Sequence, residues 1–312
     1  MKQFEDLYNE IEENNEIKLA WEEAREEQKK INKISITISI IITTILLILM
    51  IILLKRFSRF NSMFIPPAIF GIFFVNIIIL IISAGCRKKQ RKYNNIFKEV
   101  IIKKMIENFY KNVEYFPNKQ MPQRIYDEGK YEYYNRYYSD DYIEAKINNQ
   151  YDIGMAEVKA QHVQNSRNGT TTITRFHGIF AKIVIDKSIN SELIIKQNGS
   201  YGLGRNKLEM DSSKFEKYFD VSATNKIIGM QLLTADVMEE LIEFENKTNM
   251  KYDVAIKNNN IYLRFHSGTM FEPQTLKNGI IDKKHLQKYF YMLNFTYNLS
   301  DKIIKLINET EI

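Results

Sequence analysis

The chain of 312 residues has a single cysteine, Cys86. It therefore forms no internal disulfide, which excludes a disulfide-stapled scaffold and fits a reducing compartment. Histidine is scarce too. His162, His177, His266 and His285 have no close metal-ligand spacing. No serine stands in a nucleophile-elbow motif. The glycine-rich stretch 199–207 lacks the spacing and the following Ser/Thr of a phosphate-binding loop and opens no helix, so it reads as a hairpin loop. Neither a cofactor nor a metal is expected from this inventory, and the chain leans away from an enzyme.

Charge is absent from two long stretches. Residues 34–54, ISITISIIITTILLILMIILL, hold no charge. As a helix at about 1.5 Å per residue they span roughly 30 Å, the thickness of a bilayer core. The hydroxyls of Ser35, Thr37, Ser39, Thr43 and Thr44 are tolerable there because each can bond back to its own helix. Residues 64–86, FIPPAIFGIFFVNIIILIISAGC, form a second such run, with Pro66 and Pro67 in its first turn. Asn76 is its one strongly polar residue and is expected to pack against the first run. The pair predicts a transmembrane hairpin, hence a multi-pass membrane protein. A cleaved signal peptide does not fit, because mostly charged sequence precedes the first run.

The net charge of +6 is local. Residues 1–33 balance to −4 and the loop 55–63 to +3. Residues 87–104 carry eight basic side chains against Glu99, and residues 105–312 carry 27 of each sign. The excess therefore hugs the apolar block, where it sets topology and meets anionic headgroups. Arg87, Lys88, Lys89, Arg91 and Lys92 are the expected headgroup contacts. Arg25, Lys29, Lys30 and Lys33 flank the other side, so both termini are expected in the cytoplasm and the loop 55–63 outside. A nucleic-acid partner is not expected, since the folded part has no basic excess.

The organisation that follows is an acidic helical arm (1–33), a span (34–54), a short external loop (55–63) and a second span (64–86). A basic juxtamembrane segment (87–104) then leads to a cytoplasmic domain (105–312). In the arm, Phe4, Leu7, Tyr8 and Ile11, then Ile17, Trp21 and Ala24, recur at helical spacing, with a break near Asn14-Asn15. Ile96 to Val113 repeats apolar residues at three and four, a helix ended by Pro117 and Pro122. The tyrosines from Tyr126 to Tyr142 read as core and surface aromatics. From Tyr142 onward the period changes to two, through YIEAKI, DIGMAEVKAQHV, TTTITRFHGIFAKIVID and SELIIKQ, with turns at Asn148-Asn149 and 165–169. Short links make an antiparallel meander the natural pairing. Asp211-Ser212 and Thr234 are expected to cap helices; 225–233 reads equally as helix or strand. Residues 252–266 read as a hairpin around Asn258–Asn260, and 282–309 as a helix breaking near Asn298. The class is α+β: a two-helix transmembrane hairpin followed by a mainly antiparallel sheet domain with flanking helices.

Six short stretches carry a family resemblance: SDDYIEAKI (139–147), AEVKA (156–160), FHGIFAKIVI (176–185), FEKYFDV (215–221), LLT (232–234) and FEP (271–273). Their order, behind a two-span hairpin, resembles the bacterial membrane-anchored "domain of unknown function" family numbered 3137. Ala145 stands where that pattern has glycine. The resemblance implies the topology and the domain limits; it implies no activity and no catalytic residue.

One constellation suggests chemistry. Glu157-Val158-Lys159 follows Asp140, Asp141 and Asp152. A strand bearing E-x-K with an upstream aspartate offers two oxygen ligands for Mg²⁺ and a lysine for phosphodiester cleavage. A charged strand of alternating residues yields the same letters by chance. The leading expectation is thus a membrane-anchored cytoplasmic binding or scaffold domain of unknown ligand. Its partners would be the bilayer and a protein or a second copy. The alternative is a membrane-tethered metal-dependent hydrolase or nuclease using Asp141, Glu157 and Lys159.

Overall fold

The computed structural model describes residues 1–56, 91–130, 132–166, 169–198, 206–273 and 282–309. These divide into two compact units. One holds residues 1–12, 98–272 and 282–309; the other holds 13–56, 91–97 and Pro273.

In the second unit, helix α2 (Asn15–Arg56) runs without a break. Asn14 starts it, its side chain accepting from the Glu16 and Ile17 amides. Trp21, Ala20 and Ala24 pack against Tyr93 and Ile96 of a helical turn at 91–96. Residues 34–54 lie within α2, but only some of their side chains are described. Among the described residues no helix is long and apolar enough to cross a membrane. The second apolar run, the loop 55–63 beyond Arg56, and Arg87, Lys88 and Lys89 lie outside the described residues.

The other unit is mixed α/β with a mainly antiparallel sheet and flanking helices. Helix α1 (Phe4–Glu12) buries Phe4, Leu7 and Ile11. A π-helical turn (Phe97–Ile102) opens the main part and leads into α3 (Lys103–Phe109). Then come β1 (Lys111–Phe116), α4 (Gln123–Gly129), β2 (Arg136–Ile147), β3 (Tyr151–Ser166) and β4 (Gly169–Gln197). After these stand β5 (Lys207–Leu208), α5 (Ser213–Glu216), β6 (Phe219–Ala223), α6 (Lys226–Leu232), α7 (Ala235–Thr248), β7 (Tyr252–Phe265) and α8 (Lys283–Glu309). The sheet order is β1-β2-β3-β4-β6-β5, with β7 on the other edge of β4. All pairings are antiparallel.

Both faces of the sheet are covered. On one, Tyr126 of α4 meets Tyr142, Val158, Phe176, Phe180 and Tyr262. Tyr134 joins this cluster while Tyr133 and Tyr138 stay exposed, as core and surface aromatics. On the other, Phe244 of α7 stacks on Phe295 of α8 with ring centres 4.2 Å apart, and Tyr252 and Phe265 of β7 pack on the same ring. Phe4 of α1 and Phe109 of α3 both meet Phe290 of α8, at 5.4 and 4.9 Å.

Local signals explain much of this. The turn between β2 and β3 has Asn148 and Asn149 at φ 53° and 58°, and Gln150 N–H donates to the Ile147 carbonyl at 3.0 Å. Asparagine is favoured in such a left-handed pair. Asn225 caps α6 and Thr234 caps α7, so the ambiguous stretch 225–233 is a helix.

Four expectations need correction. The helix from 96 ends at Phe109, and Lys111–Phe116 is an edge strand bound to β2; its alternating residues suit an edge as well as a helix face. TTTITRFHGIFAKIVID and SELIIKQ form one strand, β4, bent by an irregularity between Val184 and Ile189. Residues 252–265 are a single strand, β7, because β4 offers a partner along its whole length; Asn258, at φ 54°, opposes Ile189 at the bend. Helix α8 does not break at Asn298, since the small propensity cost of asparagine is outweighed by burial of Phe295, Leu299 and Ile303.

Candidate functional site

The site begins with a bulge. Asp140 pairs with Glu157, but the next pair in register is Ile143 with Met155, so β2 carries one extra residue. Asp141 absorbs it at φ 53°, a conformation aspartate tolerates better than most residues. Its N–H donates to the Pro117 carbonyl at 3.2 Å. Strict alternation would send Asp140 and Asp141 to opposite faces. The bulge instead brings carboxylate oxygens of Asp140, Asp141 and Glu157 within 4.8 Å of one another.

The chain supplies donors to this cluster. Lys98, only 7% exposed, lies on the π-helical turn, and its Nζ stands 2.8 Å from Asp141 Oδ2 and 2.5 Å from Glu272 Oε1. The Tyr115 hydroxyl donates to Asp141 Oδ1. Met270 N–H donates to Glu157 Oε2 at 2.8 Å. His177 Nε2 lies 3.4 Å from Glu157 Oε1 and the same distance from the Thr269 hydroxyl.

Too many carboxylates share one ammonium, and burial makes this costly. Burial pushes Glu157 up to about 7, with Asp140 and Asp141 adding to the rise and the Met270 amide opposing it. Burial likewise pushes Asp141 up to about 6, against the pull of Lys98. Asp140 is raised by the same cause. Burial lowers the Lys98 ammonium, but its carboxylate partners more than reverse that and hold it above its ordinary value. His177 is lowered by burial and by Lys159. At neutral pH the cluster holds a mixture of acids and carboxylates, able to donate as well as accept.

Of the residues singled out from sequence, Asp140, Asp141 and Glu157 come together. Asp152 does not: it sits at the far end of β3, 2.7 Å from Lys146. Lys159 is two residues from Glu157 and opposite His177 in register. Among the described residues it makes no hydrogen bond to the three carboxylates. Lys92 reaches Glu23 at 3.2 Å. Sequence reading missed Lys98, Tyr115, His177 and Glu272. Lys98 did leave a signal: it takes a place in the buried stripe that continues through Ile101, Ile102, Met105, Ile106 and Phe109. The clefts of about 420 and 340 Å³ on this unit are lined by other residues, over Gly154 and beside Phe290 respectively.

Four of the stretches behind the family resemblance meet here: SDDYIEAKI through Asp140 and Asp141, AEVKA through Glu157, FHGIFAKIVI through His177, and FEP through Glu272. An α+β domain with an interior carboxylate cluster is thus the class that the fold and the site define. Residues 174–305 match the model of a family described as "Protein of unknown function (DUF3137)". The match falls on the unknown-function family that the six stretches resemble, over that stretch alone, which contains His177 and Glu272 but neither Asp140, Asp141 nor Glu157. No curated protein matches the chain. A solved structure, the mycobacterial trehalose monomycolate transport factor A, TtfA, is similar at 6% identity with a TM-score of 0.38, over 66% of this chain and 96% of that one.

Proposed function

We propose that the chain is a membrane-anchored protein in which a two-span hairpin, residues 34–54 and 64–86, holds an α+β binding domain at the cytoplasmic face. The observation that carries the reading lies on α2. Ile40, Ile41, Ile45 and Ile48 are exposed by 60, 52, 52 and 52%. Such a row of bare isoleucines is costly in water and natural in lipid. Thr37 and Thr44 donate back to the carbonyls of Lys33 and Ile40, as hydroxyls in an apolar medium must. The contacts of Trp21 with Tyr93 and of Glu23 with Lys92 join the chain before the first run to the chain after the second, as a hairpin with both ends on one side requires. Arg91, and Arg87, Lys88 and Lys89 before it, would then lie at the headgroups.

Reporter fusions test the topology. Fusions at the N-terminus and after residue 312 should report cytoplasm, and a fusion in 55–63 should report the outside. An external C-terminal reporter, or a chain that remains in solution without detergent, overturns the reading.

A second reading rests on the convergence of Asp140, Asp141 and Glu157: a hydrolase in which these carboxylates hold Mg²⁺ or Mn²⁺. Lys98 and the Met270 amide already occupy oxygens that a metal would use, which favours the binding reading. Cleavage of DNA or RNA with either metal, abolished by Glu157→Ala, would promote the enzyme.

A further inference from the structure

Among the described residues, the segment after β7 pairs with no strand. Pairing with β4 ends at Phe265 opposite Ile179. The chain then crosses β4 and β3 within their length. Gly268 N–H donates to the His177 carbonyl of β4 at 3.1 Å. Met270 N–H donates to Glu157 of β3 at 2.8 Å. Glu272 reaches Lys98 of the π-helical turn at 2.5 Å. Its turns are unusual: Gly268 has φ 69° with open space where a Cβ would stand, and Phe271 has φ 59°. A buried phenylalanine with positive φ is a strained conformation that persists only where its surroundings impose it.

We infer that residues 266–272 form a strap that lifts as a unit from the sheet, exposing Asp140, Asp141 and Glu157 while the strands stay paired. On its sheet side Met270 holds Glu157, Gly268 and Thr269 hold the His177 carbonyl and ring, and His266 holds Asp253, while Lys98 of the π-helical turn holds Glu272. The Phe271 ring against Tyr289, 5.4 Å between centres, and the Tyr289 hydroxyl on the Glu272 carbonyl tie it to α8 instead. Lys98 is the fastener that matters most. Among the described residues it alone pairs with both Asp141 and Glu272, and without it the Glu272 carboxylate faces the cluster with like charge.

Hydrogen exchange on the full chain in detergent micelles, followed by mass spectrometry of peptides, tests this. Lys98→Met should speed exchange in a peptide covering 266–272 by about tenfold or more and leave β4 peptides over 179–185 unchanged. Adding Glu272→Gln removes the repulsion and should restore part of the protection. Where Lys98→Met does not fold, Glu157→Ala, which removes the acceptor for Met270 together with the His177 partner, gives the same contrast. A rise that spreads equally through β3 and β4 overturns the strap, as does an unchanged 266–272 peptide. So does a double variant no better protected than Lys98→Met.

Discussion

Replacing Glu157 with glutamine should change the pH dependence of stability more than stability itself. Burial and the neighbouring aspartates push the Glu157 carboxyl up to about 7 from its ordinary 4.5. An acid raised in the folded state favours folding while it is protonated. Its contribution is fully present below 4.5 and is lost as pH rises through 7. Taken in full, the gap corresponds to about 3 kcal/mol. Glu157 shares its charge with Asp140, Asp141 and Lys98. Solvent also screens the open rim of the cluster, so roughly 1–2 kcal/mol is the figure to expect. Glutamine keeps the shape and an acceptor for the Met270 amide but cannot ionise. Glu157→Gln should therefore match the parent at pH 5 and exceed it by roughly 1–2 kcal/mol at pH 8.5. Urea unfolding at pH 5, 7 and 8.5 in detergent, followed by far-UV circular dichroism, reads the difference. Some slope should remain in the variant, since Asp141 at about 6 titrates in the same direction. Identical slopes in the two proteins, or a deficit of the same size at every pH, would refute the argument.

Other expectations follow from packing and capping. A Cβ at Gly178 would stand 1.8 Å from the Phe265 carbonyl oxygen, so Gly178→Ala should separate β4 from β7 at a cost of about 3 kcal/mol or more, measured as lost denaturant resistance. Phe4 is buried on Phe290, and Phe4→Ala should destabilise the α/β unit by roughly 2–3 kcal/mol. A fragment beginning at residue 93 bares the same ring, and should gain stability when a peptide of residues 1–12 is added. Asn225 caps two amides of α6; Asn225→Ala should cost about 1 kcal/mol, seen as faster exchange in a peptide over 226–232.

Several features were legible in the sequence because their causes are local. Asn148-Asn149 specifies a tight left-handed turn whatever surrounds it, Asn14 and Asn15 mark the break between α1 and α2, and Ser212 and Thr234 cap helices with their own side chains. The period-two runs identified β2, β3 and β4 because burial on a sheet imposes that period. The apolar, charge-free stretch 34–54 lies within a helix because nothing in it opposes one. Other features had no local cause. Residues 252–265 contain Asn258, Asn259 and Asn260, a turn signal, yet form one strand because β4 alongside pairs with both halves. Asn298 ends no helix because aromatic and aliphatic burial on its neighbours outweighs it. The candidate site depended most on tertiary structure. Asp140, Asp141 and Glu157 were visible as charges, but their convergence needed a one-residue bulge that no periodicity announces. Lys98, Tyr115 and Glu272 come from distant parts of the chain. They meet only because the helix leading into β1 and the segment leaving β7 both end against the same corner of the sheet.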